Sequence, residues 1–139
     1  MPGLDLKINK PEGMRIAAIV PAYNEEMMIR STIRNLREIP EIDELIVVSD
    51  GSEDRTADIA REEVGVLLVD LKQNVGKGGA LRAGLNATDA PIILLLDADL
   101  IGLTREHVLS IIEPVVSGRA RATLGVFMGG RGMTDFAQK

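Results

Sequence analysis

The chain has 139 residues, 45% of them hydrophobic and 27% charged, and a formal net charge of −5. One domain of that size buries a real core, and the charge and pI near 4.9 disfavour a general nucleic-acid binder. With no cysteine and a single histidine, His107, disulfide scaffolds, thiol nucleophiles and multi-histidine metal sites are excluded or nearly so.

Met1 to Gly13 is mixed and polar, without the apolar core of a signal peptide. The first apolar run, Arg15 to Val20, closes at Pro21, so a strand is expected there. Glu26 to Ile39 carries Ile29, Ile33 and Leu36 at helical spacing. A second strand, Glu44 to Val48, closes at Ser49-Asp50-Gly51. The helix expected over Asp54 to Glu63 follows Ser52, a candidate cap, and carries Ala57, Ile59 and Ala60. Val66 to Val69 is the third strand, ending at Asp70. Lys77 to Asn86 is the third helix, with Leu81 and Leu85 on one face. Ile92 to Leu96 is the fourth strand, ending at Asp97. Thr104 caps a fourth helix running to Val116, with Val108, Ile111, Ile112 and Val115 as its apolar stripe and Gly118 as its stop. Ala122 to Phe127 is a fifth strand candidate.

The apolar runs are near-continuous in Val, Ile and Leu, the pattern of strands buried on both faces. Strands alternating with helices imply right-handed crossovers. The expected fold is therefore α/β, a mostly parallel, Rossmann-like sheet with helices on both faces. No linker divides residues 1–139, which read as one domain. The longest apolar run, Ala90 to Leu96, is far too short to span a bilayer, so a cytoplasmic protein is expected, with peripheral membrane association left open.

In open parallel sheets, ligands bind beyond the carboxyl ends of the strands. The polar residues gather there, and each group has a plain reading beside the functional one. Asp97-Ala98-Asp99 is either a solvated loop or a site for a hard cation such as Mg²⁺ or Mn²⁺, since residues i and i+2 of an extended backbone point the same way. Asp50-Gly51 is either a turn or a carboxylate that accepts from a base or ribose. Asn24 and Glu25 either cap the first helix or contact a ribose. Gly76-Lys77-Gly78-Gly79 opens a helix. It is either a loop or an anion site of exposed amides and one ammonium. It is not a Walker loop, because position 71 is Leu and position 78 is Gly, and the GxGxxG fingerprint is also absent. His107 is read as a helical histidine without a role, and Met27, Met28 and Met128 as core fillers. The charges from Arg34 to Glu44 are read as a solvated face.

Four segments occur in one order: Ile19-Val-Pro-Ala-Tyr-Asn-Glu-Glu26, Val47 to Thr56, Asn74 to Gly84 and Leu94-Leu-Leu-Asp-Ala-Asp99. Together they closely resemble the family 2 glycosyltransferases of GT-A fold, in the branch of dolichyl-phosphate mannosyltransferases and glucosyl-3-phosphoglycerate synthases. The resemblance is strong over Arg15 to Asp99. It implies a glycosyltransferase that moves a hexose from a UDP- or GDP-sugar to an acceptor, with Mg²⁺ or Mn²⁺. In that reading Pro21, Ala22, Tyr23 and Glu25 line the nucleoside pocket. Asp50 pairs with the base beside Gly51 and Ser52. Gly76, Lys77, Gly78 and Ala80 face the nucleotide. Asp97 faces the ribose or sugar, Ala98 belongs to the nucleotide site, and Asp99, with Asp97, holds the metal. Arg131 and Thr134 face the acceptor, and Asp135 is a candidate base. The acceptor is a phosphorylated small molecule, a polyprenyl phosphate or a glycan, and a homodimer is left open. The chain is expected to be the N-terminal, nucleotide-binding part of a longer domain, truncated where the acceptor region begins. The competing reading is a non-catalytic nucleotide-sugar-binding module or an inactive fragment.

Overall fold

The structure is a computed structural model, and it describes residues 8–123. Its contacts divide the chain into two units, Met14–Leu100 and Met1–Gly13 with Ile101–Lys139.

The first unit is a four-stranded parallel sheet. Its strands are β1 (Ile16–Ala22), β2 (Glu44–Asp50), β3 (Leu67–Leu71) and β4 (Ile92–Leu95). The helices between them are α1 (Ile29–Arg37), α2 (Thr56–Glu62) and α3 (Gly76–Asn86). The sheet order is β3-β2-β1-β4. β1 pairs with β2 in the register Ala17↔Glu44 and with β4 in the register Ile16↔Ile92. Two crossovers step outward from β1 to β3, and the third jumps back over β1 to β4. Right-handed crossovers then put α1 and α2 on one face and α3 on the other. The gap between the carboxyl ends of β1 and β4 is the topological switch point.

Burial separates the central strands from the edges. Ile16 to Val20 and Ile46 to Val48 are completely buried, as their uninterrupted apolar runs require. Each Ile or Val side chain among them contributes about 1.5–3 kcal/mol relative to exposure. β3 and β4 depart from the expectation of two-sided burial: Leu67 and Leu95 are each about half exposed. Between them β1 and β2 carry the core, where Ala17, Ile19, Ile46 and Val48 pack with Ala80 of α3.

Side-chain size sets how closely α3 approaches. Its buried residues are Ala80 and Gly84, while Leu85, expected on the apolar face, is exposed. A Cβ on Gly84 would stand 2.6 Å from Ile19 Cγ2, so the helix sits against β1 through a position without a side chain. On α1, Ile29, Ile33 and Leu36 are buried as expected, and Thr32 joins them on the same side. α1 starts at Ile29 rather than Glu26, because residues 26–28 form a turn. Met27 in that turn is exposed and Met28 is half-buried, so neither is a core filler. Met128 lies outside the described residues.

The charged stretch from Arg34 to Glu44 is not a purely solvated face, since the arginines of α1 meet a buried acid. Glu63 is buried, and Arg30 Nη1 reaches its Oε2 at 2.6 Å, while Arg34 and Arg37 reach its Oε1 at 3.2 Å. Arg34 first, then Arg30, hold this carboxyl below the ordinary glutamate value, against the opposing effect of burial. Arg37 also donates to the Val64 carbonyl at 2.7 Å, closing the seam between α1 and the end of α2. At the amino edge of the sheet, Arg15 bridges Glu44 and Asp89, and the Ile16 N–H donates to Asp43 at 2.8 Å.

In the second unit, α4 (Arg105–Val116) begins with a capping box. Thr104 accepts from the His107 N–H, and His107 Nδ1 accepts from the Thr104 N–H at 3.2 Å. His107 therefore has a structural role, against the expectation that it has none. The buried side of α4 is Val108, Leu109, Ile112 and Val116, rotated from the expected stripe that held Ile111 and Val115. The helix stops at Gly118, whose N–H bonds the Val115 carbonyl. Of the fifth strand candidate, Ala122 and Thr123 are described and are not strand. The remainder, and with it Arg131, Thr134 and Asp135, lies outside the described residues.

Candidate functional site

An open cleft of about 420 Å³ lies at the carboxyl edge of the sheet, entirely within Met14–Leu100. The end of β1 and its loop supply Pro21, Ala22, Tyr23 and Glu25. β2 supplies Asp50, and the approach to α3 supplies Asn74, Gly76, Lys77 and Ala80. The loop after β4 supplies Asp97, Ala98 and Asp99. The volume is within the usual range of ligand pockets, and the place is the switch point where such folds bind ligands. Of the residues singled out from the sequence and described in the structure, Asn24, Gly51, Ser52, Gly78 and Gly79 do not line the cleft, and Asn74 lines it without a role having been assigned to it.

Asp50 is buried, and its two carboxylate oxygens accept from the Val75 N–H at 2.8 Å and the Gly76 N–H at 3.0 Å. The start of α3 is thus capped from β2. Of the amides expected to form an anion site, that of Gly76 is already taken by Asp50, together with that of Val75. Gly51 has φ +68°, and a Cβ on it would stand 2.4 Å from the Asn74 nitrogen. Only glycine fits, and its role is to let the segment from Gln73 to Asn74 pass close to β2. Asn74 Nδ2 donates to the Asp50 carbonyl at 3.2 Å.

The β1 loop is tied to the β2 loop by a ladder of side-chain bonds. The Asn24 N–H donates to Ser52 Oγ at 3.1 Å, and Asn24 Oδ1 accepts from the Glu53 N–H at 2.8 Å. Asn24 takes φ +52°, a left-handed conformation that asparagine tolerates. The Glu25 N–H donates to Thr56 Oγ1 at 2.8 Å, and that hydroxyl donates onward to Asp54. Asp54 also accepts from the Glu26 N–H at 3.2 Å and the Thr56 N–H at 2.9 Å. Burial alone would push the Asp54 carboxyl up. The hydroxyl and amide of Thr56, with the Glu26 amide, outweigh it and hold it low. Ser52 is therefore a loop tie and not the cap of α2. Asn24 likewise ties loops, while the Glu25 carbonyl accepts from the Met28 and Ile29 N–H groups at the start of α1.

β4 ends at Leu95, and Ala98 and Asp99 sit in a turn. The expected reason for the two carboxylates to share a direction, an extended backbone, does not hold. They meet at the cleft because the turn carries them there. Asp97 Oδ1 accepts from Lys77 Nζ at 2.7 Å, with both side chains more than half exposed. The Glu25 carboxyl is held above its ordinary value by its partial burial and by the charges of Asp99, Asp54 and Asp97. Four carboxylates and one ammonium line the cleft. Among the described residues, no three His, Asp or Glu side chains form a cluster that could hold a metal on its own. Asp97 and Asp99 still fit a Mg²⁺-type ion, because such ions take one or two carboxylates and complete their shell with phosphate oxygens and water. The acid excess at Glu25 is the kind of field that a divalent cation relieves.

Buried hydroxyls are what sequence reasoning missed. Thr32 and Thr56 are 3% and 0% exposed. Each sits at a helical position whose neighbours are apolar, so only the buried partners reveal it.

The sequence model described as glycosyl transferase family 2 matches residues 17–139. The chain belongs to that family. A dolichyl-phosphate β-glucosyltransferase of Dictyostelium discoideum is 31% identical over 94% of this chain and 44% of its own length. The corresponding Trichomonas vaginalis enzyme is 29% identical over 93% of this chain and 44% of its own length. The chain thus spans less than half the length of these curated relatives. A crystal structure of glucosyl-3-phosphoglycerate synthase from Mycobacterium tuberculosis matches with a TM-score of 0.68 at 34% identity. That match covers 76% of this chain and 41% of that one, and the structure holds Mn²⁺, uridine-diphosphate-glucose and phosphoglyceric acid. The expected Rossmann-like GT-A fold is thus the fold of this family 2 chain. No helix among its described residues is long and apolar enough to cross a membrane.

Proposed function

We propose that this family 2 chain binds the nucleotide-sugar donor of a glycosyltransferase that moves a hexose from a UDP- or GDP-sugar to a phosphate-bearing acceptor with a divalent cation. The observation that carries the reading is the cleft at the switch point, where four carboxylates face one lysine. A nucleoside diphosphate is itself an anion. Two unit charges about 5 Å apart repel by about 3 kcal/mol at an effective dielectric of about 20. Such a cleft therefore takes a diphosphate much more tightly together with a cation. The mycobacterial synthase, crystallised with Mn²⁺ and a UDP-sugar, supports the same pairing.

Tyr23, with Pro21 and Ala22, offers a flat apolar wall to the base. Asp50 keeps its remaining lone pairs for a base edge while it fixes α3. Asp97 and Asp99 hold the cation, Mn²⁺ or Mg²⁺, which when bound neutralises the charge that grows on the departing diphosphate. Lys77 exchanges its ion pair with Asp97 for a phosphate oxygen, so donor binding frees one carboxylate of the pair. The loops hold these groups in place before the donor arrives, and catalysis is mostly positioning and electrostatics. Arg131 and Thr134 are proposed to face the acceptor and Asp135 to serve as base. Phosphoglyceric acid, bound in the mycobacterial synthase, and dolichyl phosphate, for which the Dictyostelium enzyme is named, share a phosphate as an anionic end.

The test is thermal shift and calorimetry with UDP and GDP, each with and without Mn²⁺ or Mg²⁺, followed by release of nucleoside diphosphate from UDP-glucose. Metal-dependent binding of one nucleotide, with turnover when acceptor is supplied, is expected. Binding without turnover in the full-length protein would favour the non-catalytic module. No binding with either metal would overturn the proposal.

A further inference from the structure

The turn that carries Asp97, Ala98 and Asp99 is held from outside its own segment at two points. The Leu96 N–H donates to the Ile19 carbonyl of β1 at 3.1 Å. The Ala98 carbonyl accepts from Thr32 Oγ1 at 2.7 Å, across 66 residues of sequence. Thr32 and Ala98 are both 3% exposed. A buried hydroxyl without a partner is costly, and so is a buried carbonyl. Here each satisfies the other. The carbonyl lies in the peptide plane that joins Ala98 to Asp99, so the bond fixes the rotation that aims the Asp99 carboxylate.

The same helix is fixed one turn earlier. Its first amide, that of Ile29, and the amide of Met28 both donate to the Glu25 carbonyl. α1 is therefore a rigid strut with Glu25 attached at its start and the Ala98 carbonyl attached at Thr32. Its rise of about 1.5 Å per residue sets the spacing between the two acidic sides of the cleft. We propose that Thr32 is a positioning residue for the donor and cation site: it touches neither ligand and acts by orienting the Asp97-Ala98-Asp99 turn. The inference deepens the proposed function and rests on it for the identity of the ligand.

The experiment compares the full chain with Thr32→Val, which keeps shape and loses the hydroxyl, and with Thr32→Ser, which keeps the hydroxyl. UDP binding is measured by calorimetry with Mn²⁺ and with chelator, and amide hydrogen exchange of residues 96–100 is measured without ligand. Thr32→Val is expected to weaken UDP binding in Mn²⁺ by about tenfold, the usual scale for removing a partner that orients a metal ligand. Its binding in chelator is expected to change less than twofold, and exchange in the turn is expected to rise. Thr32→Ser is expected to restore all three. Unchanged turn exchange in Thr32→Val overturns the inference, whatever binds. An equal loss with and without Mn²⁺, tracking a lower Tm, also overturns it, since that is a purely structural role. If the unsubstituted chain binds no UDP while the Thr32→Val turn still exchanges faster, the donor reading falls and the orientation of the turn by Thr32 stands.

Discussion

The acids of this chain live in two kinds of place. Along the amino edge of the sheet and the α1–α2 seam, every acid described above has a partner: Glu44 and Asp89 meet Arg15, and Glu63 meets three arginines. At the carboxyl edge, Glu25, Asp50, Asp97 and Asp99 line one cleft with a single lysine. The ionisation equilibria move in opposite directions. Arg15 holds the Asp89 carboxyl below its ordinary value, whereas burial and neighbouring acids hold Glu25 above its own. Partnered acids stabilise the fold. A concentration of acids with too few cations is what the proposed cation would complete.

The sharpest test of that contrast is Asp99→Asn. For the unsubstituted chain, UDP with Mn²⁺ at about a hundred times Kd is expected to contribute about 2.7 kcal/mol, or about 10 °C in Tm. Asp99→Asn is expected to abolish the metal-dependent part of that shift and to leave the unliganded Tm equal or higher, because a repelling charge is gone. An intact shift would break the comparison at its strongest point.

The reverse pattern is expected at Glu63. Glu63→Gln removes the charge that three arginines share, so the unliganded Tm falls by several degrees and Mn²⁺-UDP affinity does not change. Arg15→Met is expected to lower Tm by a few degrees only, since its pairs are partly exposed, again without effect on nucleotide affinity.

The smallest effect is in the pH profile, and there the two regions have opposite signs. Glu63 and Asp89 titrate below their ordinary values of 4.5 and 3.8. Their stabilisation is present above those values and disappears as pH falls through the folded ones. Glu25 titrates above its ordinary 4.5, so its contribution is present below that value and disappears as pH rises through the folded one. Glu63→Gln should therefore flatten Tm against pH below about 4.5, and Glu25→Gln should flatten it just above. Matching windows for the two variants would show that the cleft and the seam are not electrostatically distinct.

Much of this was legible in the sequence. The uninterrupted runs of Ile16 to Val20 and Ile46 to Val48 can only be buried strands. The polar groups at their carboxyl ends mark where a ligand goes. Helix edges were less legible: α1 starts three residues late because Glu26, Met27 and Met28 form a turn anchored by the Glu25 carbonyl. The stripe of α3 was misread because Gly84, with no side chain, makes the close approach that Leu85 was expected to make. Ser52 and Asn24 illustrate a common ambiguity. Short polar side chains cap helices or tie loops with the same atoms, and neighbours distant in sequence decide which.

By itself, the sequence determined the alternation of strands and helices, the parallel core, the acids at the strand ends and the family resemblance. These depend on local periodicity and on short motifs, which survive without knowledge of packing. Tertiary structure alone decided the strand order that opens the switch point between β1 and β4. It also decided the capping of α3 by Asp50, the pairing of Lys77 with Asp97, and the bond from Thr32 to Ala98. Each of these joins residues 20 or more positions apart. Such partners are chosen by how the helices lie on the sheet, and no local pattern encodes that.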